Sequence, residues 1–163
     1  MLYLINTKRV VSFLKFSLVS FLFLLAACQT KQKEDVSSKA DFSIQDEQAI
    51  LGAMNQSAED WNKADLDAFM SIYDSSATFM TSKGPIGVSQ TRDNYKNVFF
   101  ENGKPKQQLR FEEMTVKPLG ADHALLLGRF VLFGNDLKEL TGRYTLIFKR
   151  TSRGWKMMHD HSS

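Results

Sequence analysis

Near its carboxyl end the sequence carries three residues that could do chemistry, His159, Asp160 and His161. On a β-strand the two imidazoles would project together about 7 Å apart, while Asp160 would point to the opposite face. Imidazoles titrate near neutral pH, so His159 and His161 are our candidate catalytic bases. They could also ligate a metal ion with His123, or hold the last strand in place. Because the spacing fixes no third ligand, we predict no metal site.

Arg129 interrupts the apolar run from 124 to 133, in phase with Leu125 and Leu127. A buried arginine needs a partner, because an unpaired charge is expensive to remove from water. The charge of Arg129 could be paired with an acidic ligand or with a carboxylate of the protein, such as Asp160 or Asp67. It could also be exposed to solvent or lie in a dimer contact.

Four large amphipathic aromatic residues also stand at helical or strand spacing. Such rings usually pack in a core, but a ring that lines a cavity can donate a hydrogen bond to a ligand. The candidate ligand-binding residues are therefore Trp61, Tyr73, Tyr95, Arg129, Tyr144 and Asp160. The sequence has no phosphate-binding glycine loop, no G-x-S-x-G and no C-x-x-C, so we predict no cofactor.

Helical patterns occupy the first half of the domain. Ser43 and Asp46 form a capping-box pattern ahead of a helix predicted over about 44–62. Asp65 can cap a second helix that ends near Ser75 and carries Tyr73 on its buried side. A short strand is predicted over 77–81, and a third helix from Ser89 to a stop at Asn102-Gly103.

In the second half of the domain, apolar and polar residues alternate as they do on β-strands. Strands are predicted over about 108–116, 123–133, 140–150 and 155–161, joined by tight turns. The apolar phase of the first strand shifts near Glu112-Glu113, which predicts a β-bulge. Three helices followed by an antiparallel meander indicate an α+β domain with helices on one face of a curved sheet.

Two segments carry a resemblance to a known family, WNKADLDAFMSIYDSSATFM from Trp61 and GRYTLIFKRTSRGWKMMHDHSS from Gly142. They resemble NTF2-like domains of the SnoaL-like and DUF4440 type, and the resemblance covers about 43–163. It implies a cystatin-like cone with three N-terminal helices on a strongly curved, mainly antiparallel sheet. It also implies a cavity at the wide end and a homodimer through the outer sheet face.

This superfamily contains isomerases, dehydratases, hydrolases and association domains, so the resemblance does not by itself give an activity. The first hypothesis is a module that binds a small, mostly apolar molecule in its cavity. The second is a cofactor-free isomerase, dehydratase or hydrolase of the ketosteroid-isomerase or SnoaL kind. The third is a homodimeric assembly domain.

Cys28 is the only cysteine, and it follows Leu25-Ala26-Ala27 at the end of the 12-residue apolar stretch 16–27. Basic residues precede that stretch, which is too short to span a bilayer. Residues 1–27 therefore resemble the signal peptide of a bacterial lipoprotein, with Cys28 as the lipidated residue. This implies a membrane-anchored protein in the cell envelope, facing outside the cytoplasm.

The segment 28–42 is polar and predicts a flexible tether, with 43–163 as the domain. The whole chain has 21 Lys+Arg and 18 Asp+Glu, but three of the basic residues lie in the predicted leader. The mature protein would be formally neutral, which argues against a nucleic-acid partner. Gln29 after the cysteine favours the outer membrane if the source is Gram-negative.

Overall fold

The structure is a computed structural model, and it describes residues 41–163. Helices and strands are interleaved in the first half of this domain, and four long strands follow. The helices are α1 (Ile44–Asn62), α2 (Leu66–Met70) and α3 (Val88–Phe99). The strands are β1 (Tyr73–Thr81), β2 (Gly84–Gly87), β3 (Phe100–Glu101), β4 (Lys104–Pro105), β5 (Gln108–Pro118), β6 (His123–Phe133), β7 (Leu140–Thr151) and β8 (Gly154–Ser162).

Six of the strands form one curved sheet in the order β2-β1-β8-β7-β6-β5, and β3 pairs with β4 separately. The predicted antiparallel meander is confirmed for β5 to β8. The β1 strand joins this meander by pairing with β8 in parallel. The first and last long strands of the domain are therefore neighbours, with the helices packed on the inner face of the sheet.

The predicted first helix is confirmed by α1, which begins after the capping box of Ser43 and Asp46. Its buried face carries Ile50, Met54 and Trp61. Asp46 also binds outside the helix: it accepts hydrogen bonds from Arg150 at 2.6 and 2.8 Å and from Trp155 Nε1 at 3.0 Å. These contacts fix the start of α1 to β7 and β8.

The second helix is shorter than predicted. It ends at Met70, and Tyr73 begins β1 instead of lying on a helix face. The backbone carbonyl of Ile72 accepts a hydrogen bond from Met157 N at 2.8 Å, so this segment pairs with β8. The tertiary pairing therefore overrides the helical periodicity of the local sequence.

The third helix ends at Phe99, three residues before the predicted stop. Asn102 and Gly103, with φ of 52° and 77°, form the turn of the small β3–β4 hairpin rather than a helix end. The predicted bulge in β5 is confirmed, because the ladder with β6 shifts between Glu112 and Thr115 and Glu113 has a φ of 54°.

No helix within 41–163 is long and apolar enough to cross a membrane. The predicted signal peptide, Cys28 and nearly all of the predicted tether lie outside the described residues. Phe42, the last residue of that tether, packs edge-on against Trp155 with ring centroids 5.6 Å apart.

Candidate functional site in the cavity between helices and sheet

A cavity of about 220 Å³ lies between the three helices and the inner face of the sheet. Its wall is largely aromatic and aliphatic, with a few hydroxyls and one acidic side chain. The lining residues are Met54, Ser57, Trp61, Phe69, Ile72, Tyr73, Phe79, Tyr95, Phe99, Leu109, Phe111, Phe130, Leu132, Tyr144, Leu146, Met157, Asp160, Ser162 and Ser163. Such a concave, mostly apolar surface with a few polar groups is typical of a small-molecule site.

Trp61 fixes the helical side of the cavity. Its indole donates a hydrogen bond to the carbonyl oxygen of Gln107 at 3.0 Å, and Phe69, Tyr95 and Phe100 pack edge-on around it. The ring centroids lie 4.8 to 5.8 Å from that of Trp61. Since each ring restricts the others, this part of the wall is preorganised.

A chain of hydrogen bonds runs through the polar part of the wall. The Tyr73 hydroxyl donates to Asp160 Oδ2 at 2.7 Å and lies 3.2 Å from the Tyr95 hydroxyl. The Ser162 hydroxyl donates to Asp160 Oδ1 at 2.6 Å. Both oxygens of the buried carboxylate therefore accept a hydrogen bond from the protein.

Burial controls the protonation of these groups. It raises the pKa of Asp160, against the opposing effect of the Ser162 and Tyr73 hydrogen bonds. It also raises the pKa values of Tyr73 and Tyr95, so both phenols remain protonated donors at neutral pH. A carboxylate whose pKa is raised accepts a proton more readily than an ordinary one.

The raised pKa of Asp160 predicts a stability effect of defined sign. The pKa of Asp160 is higher in the folded state than in the unfolded state, because burial disfavours the ionised carboxylate. The free energy of unfolding of wild type therefore falls as the pH rises from the pKa of the unfolded state through that of the folded state. We therefore expect the Tm of wild type, relative to that of Asp160→Asn, to increase on acidification from about pH 7 to about pH 4. Thermal unfolding of both proteins across this range measures it, and a difference in Tm that is independent of pH would contradict the assignment.

Tyr144 is the third phenol of the wall. The side chain is 4 % exposed, and its buried hydroxyl has no hydrogen-bond partner within the described domain. Tyr144 pairs with Gly128 across β6 and β7, and a Cβ at Gly128 would lie 2.2 Å from the Tyr144 hydroxyl oxygen. Only glycine at 128 leaves room for this ring.

Both candidate catalytic histidines lie away from the cavity. His159 pairs with Ile147 and His161 with Thr145 on the outer face, while Asp160 pairs with the cavity residue Leu146. His159 Nδ1 lies 2.8 Å from the Thr78 hydroxyl. The structure therefore brings Asp160, and neither imidazole, to the cavity wall.

Within 41–163 no cluster of three histidine, cysteine or acidic side chains could hold a metal ion.

Arg129 also lies on the outer face, and its partner is Glu112. Glu113 is 3.6 Å away and bridges to Arg143 at 2.5 Å. Of the partners considered from the sequence, an internal carboxylate is the one present, but it is neither Asp160 nor Asp67, because the β5 bulge brings two glutamates beside Arg129 on the neighbouring strand. Arg129 does not line the cavity, whereas the other ligand-binding candidates do: Trp61, Tyr73, Tyr95, Tyr144 and Asp160.

Several cavity residues were not singled out from the sequence. Phe79, Phe111, Phe130 and Ser57 all line the wall. Phe111 packs perpendicular to Tyr144, with centroids 5.6 Å apart. The available signal was the alternation of large apolar residues on the strands, but alternation alone does not separate a cavity wall from a filled core.

The model of the SnoaL-like domain family matches residues 50–163, which is most of the chain. The chain belongs to the SnoaL-like domain family. No curated protein sequence matches it significantly. The expected NTF2-like, cystatin-like α+β fold is confirmed, while the expected homodimer and catalytic histidines stay predictions.

Solved structures agree with this SnoaL-like fold. An NTF2-like protein of unknown function from Shewanella oneidensis is 26 % identical, with a TM-score of 0.64 over 72 % of this chain and 98 % of its own. A cystatin-like protein of unknown function from Nostoc punctiforme is 11 % identical, with a TM-score of 0.63 over 76 % and 93 %. The association domain of C. elegans CaMKII is 16 % identical, with a TM-score of 0.60 over 72 % and 94 %.

Proposed function

We propose that this SnoaL-like domain binds a small, mostly apolar molecule in its cavity. The observation that carries the proposal is the aromatic cavity of about 220 Å³ with its few polar groups. Apolar cavities of about 150 Å³ in other proteins stay dry and bind benzene. A cavity of this size would take a somewhat larger molecule, about the size of two fused rings.

The position of the polar groups supports binding of such a molecule. The polar groups of the wall form hydrogen bonds with one another, so the wall has few unpaired donors and acceptors. The residues concerned are Tyr73, Tyr95, Ser162 and Asp160. The remaining wall offers ring faces and aliphatic side chains. Transfer of apolar ligand surface from water to this wall contributes about 25 cal/mol per Å².

Thermal unfolding in the presence of isopropylnaphthalene tests the proposal. We expect this hydrocarbon to raise the Tm of wild type, because a ligand that binds only the folded state stabilises it. Leu146→Phe adds a ring to the cavity wall at a residue that is 2 % exposed, and it should abolish the shift. Thr145→Val, one residue away on the outer face, is the control that should keep it. An equal shift in Leu146→Phe and wild type, or none in wild type, would contradict the proposal.

We also propose that Cys28 is lipidated and holds the domain in the bacterial envelope through a flexible tether. The support is the apolar stretch that ends in Leu-Ala-Ala-Cys, followed by a polar segment. Two acyl chains would make this attachment stable, since each buried CH₂ contributes about 0.8 kcal/mol. As a random coil, the segment would have a root-mean-square end-to-end distance of roughly 20 Å, which sets the average distance of the domain from the bilayer.

Fractionation of cells that express full-length wild type and Cys28→Ser tests the attachment. We expect wild type in the membrane fraction, with the outer membrane favoured in a Gram-negative host, and the variant shifted away from it. Metabolic labelling with a palmitate analogue should mark wild type alone. Unlabelled wild type in the soluble fraction would contradict the proposal.

A further inference from the structure

Two imidazoles lie together on the outer face of β8, away from the cavity. His159 and His161 are two positions apart on this strand, so their side chains project in the same direction about 7 Å apart. His161 is exposed, and His159 is half-buried. Within 41–163 only Nδ1 of His159 takes part in a hydrogen bond, so the other three ring nitrogens are open to a ligand from solution.

The neighbouring strand brings a methionine to the same place. β1 runs parallel to β8, with Phe79 opposite Asp160, and both of these side chains line the cavity. The next residue on each strand, Met80 on β1 and His161 on β8, therefore faces outward at the same level. Adjacent strands lie about 4.8 Å apart, which puts the thioether within reach of a metal ion held by the two imidazoles. No local spacing in the sequence could indicate this third ligand, because strand pairing brings it there.

Thr78 orients the first of these imidazoles. Its hydroxyl oxygen lies 2.8 Å from Nδ1 of His159. A threonine oxygen that accepts the Nδ1 hydrogen leaves the lone pair on Nε2, the nitrogen that a metal ion would bind. Histidines that bind metals almost always have such a partner at the other ring nitrogen, and it holds the ring in position. This hydrogen bond is an observation separate from the strand register, and it also suits His159 to a metal site.

The ligand types determine which metal fits. Thioether and imidazole together favour the soft ion Cu(I), whereas hard cations such as Mg²⁺ prefer carboxylate and carbonyl oxygens. Residues 41–163 contain no group of three histidine, cysteine or acidic side chains that could hold a metal ion, so no carboxylate joins the two histidines as a ligand. A divalent ion would therefore meet no negative ligand here, and a soft monovalent ion is favoured.

We propose that His159, His161 and Met80 form a Cu(I) site on the outer face of the sheet, with Thr78 as the residue that positions His159. The three ligands are neutral side chains, so the complex carries only the single positive charge of the ion. The site lies on the face opposite the cavity and does not depend on the proposed binding of a small molecule there.

Anaerobic competition with the coloured Cu(I) chelate of ferrozine tests the site. The parent protein is the full-length chain without a histidine tag and with Cys28→Ser, which removes the only thiol. We expect it to take one Cu(I) per chain from the chelate, measured as a loss of absorbance. His161→Gln changes an exposed residue and should leave the fold intact. It should weaken Cu(I) binding by about 100-fold, the upper end of the range for substitutions around metal ligands.

Two further variants assign the roles of the neighbouring residues. Met80→Leu keeps an apolar side chain, and X-ray absorption of its copper complex should show the loss of the sulfur ligand. Thr78→Val removes only the orienting hydrogen bond and should weaken Cu(I) binding by about tenfold. The matched controls are His123→Gln on β6 and Met114→Leu on β5, which should bind Cu(I) as the parent does.

Four results would overturn the inference. The site is absent if the parent protein takes no Cu(I) from the chelate or if His161→Gln binds with unchanged affinity. An equal loss of affinity in His123→Gln or Met114→Leu would place the copper elsewhere. A sulfur ligand that persists in Met80→Leu would remove Met80 from the site. Tighter binding of Zn²⁺ than of Cu(I), measured by titration calorimetry of the parent, would overturn the choice of metal.

Discussion

Replacing Gly128 with alanine should destabilise the domain by about 2 kcal/mol, within the range for overpacked cores. The added Cβ would lie 2.2 Å from the Tyr144 hydroxyl oxygen and 2.4 Å from the ring carbon that carries it. Neither β6 nor β7 can move away easily, because both are central strands paired on each side. The Tyr144 ring must therefore leave its position, and urea unfolding should show a lower midpoint.

Gly52→Ala is the matched control for this substitution. Gly52 lies within α1, and a Cβ there would meet nothing within 4 Å. The same chemical change should stabilise the domain by about 0.5 to 1 kcal/mol, since alanine favours the helix. In the background of Tyr144→Leu, Gly128→Ala should cost much less than in wild type. An equal cost in both backgrounds would show that the ring does not determine the effect.

Asp46→Asn should lower the Tm by roughly 5 to 10 °C, as expected when several buried hydrogen bonds are lost from a domain of this size. Asp46 closes the capping box with Ser43 and accepts hydrogen bonds from Arg150 and Trp155. An amide can accept at one oxygen only, so at least one of these donors loses its partner. The substitution therefore loosens the start of α1 from the sheet.

The effect of Asp46→Asn should depend on pH. Hydrogen bonds from Arg150 and then Ser43 hold the pKa of Asp46 far below the usual range. The stability that these bonds contribute is fully present above the pKa that Asp46 has in the unfolded state. It is lost as the pH falls through the lower pKa that Asp46 has in the folded state. We expect the gap in Tm between wild type and variant to narrow below about pH 4. Glu47→Gln, in the same first turn, is the control; a gap that widens in acid would contradict the assignment.

Some elements could be predicted because neighbouring residues in the sequence determine them. The capping box and the spacing of Ile50, Met54 and Trp61 predicted α1, and the phase shift near Glu112 predicted the bulge in β5. The second helix was predicted too long, because Tyr73 follows the helical spacing. Its pairing with Met157, 84 positions later in the sequence, is invisible to a local pattern.

The orientation of the last strand could not be predicted for a related reason. Simple alternation from the buried Trp155 and Met157 would turn His159 and His161 to the inner face. The β7–β8 ladder instead pairs Phe148 with Met157 and Ile147 with His159, so Met158 is skipped and the phase reverses. This second bulge places Asp160 in the cavity and both histidines outside. No turn residue marks it in the sequence, and the only break in the alternation is the adjacent pair Met157-Met158.

The central claim is that the cavity is a binding site, and titration with the uncharged two-ring fluorescent dye 1-aminonaphthalene tests it most directly. We expect wild type to bind one dye per domain with enhanced fluorescence, and isopropylnaphthalene to displace it. Leu146→Phe should not bind the dye, while Thr145→Val should bind it as wild type does. Wild type that does not bind the dye, or a Leu146→Phe protein that binds it with unchanged affinity, would contradict the claim.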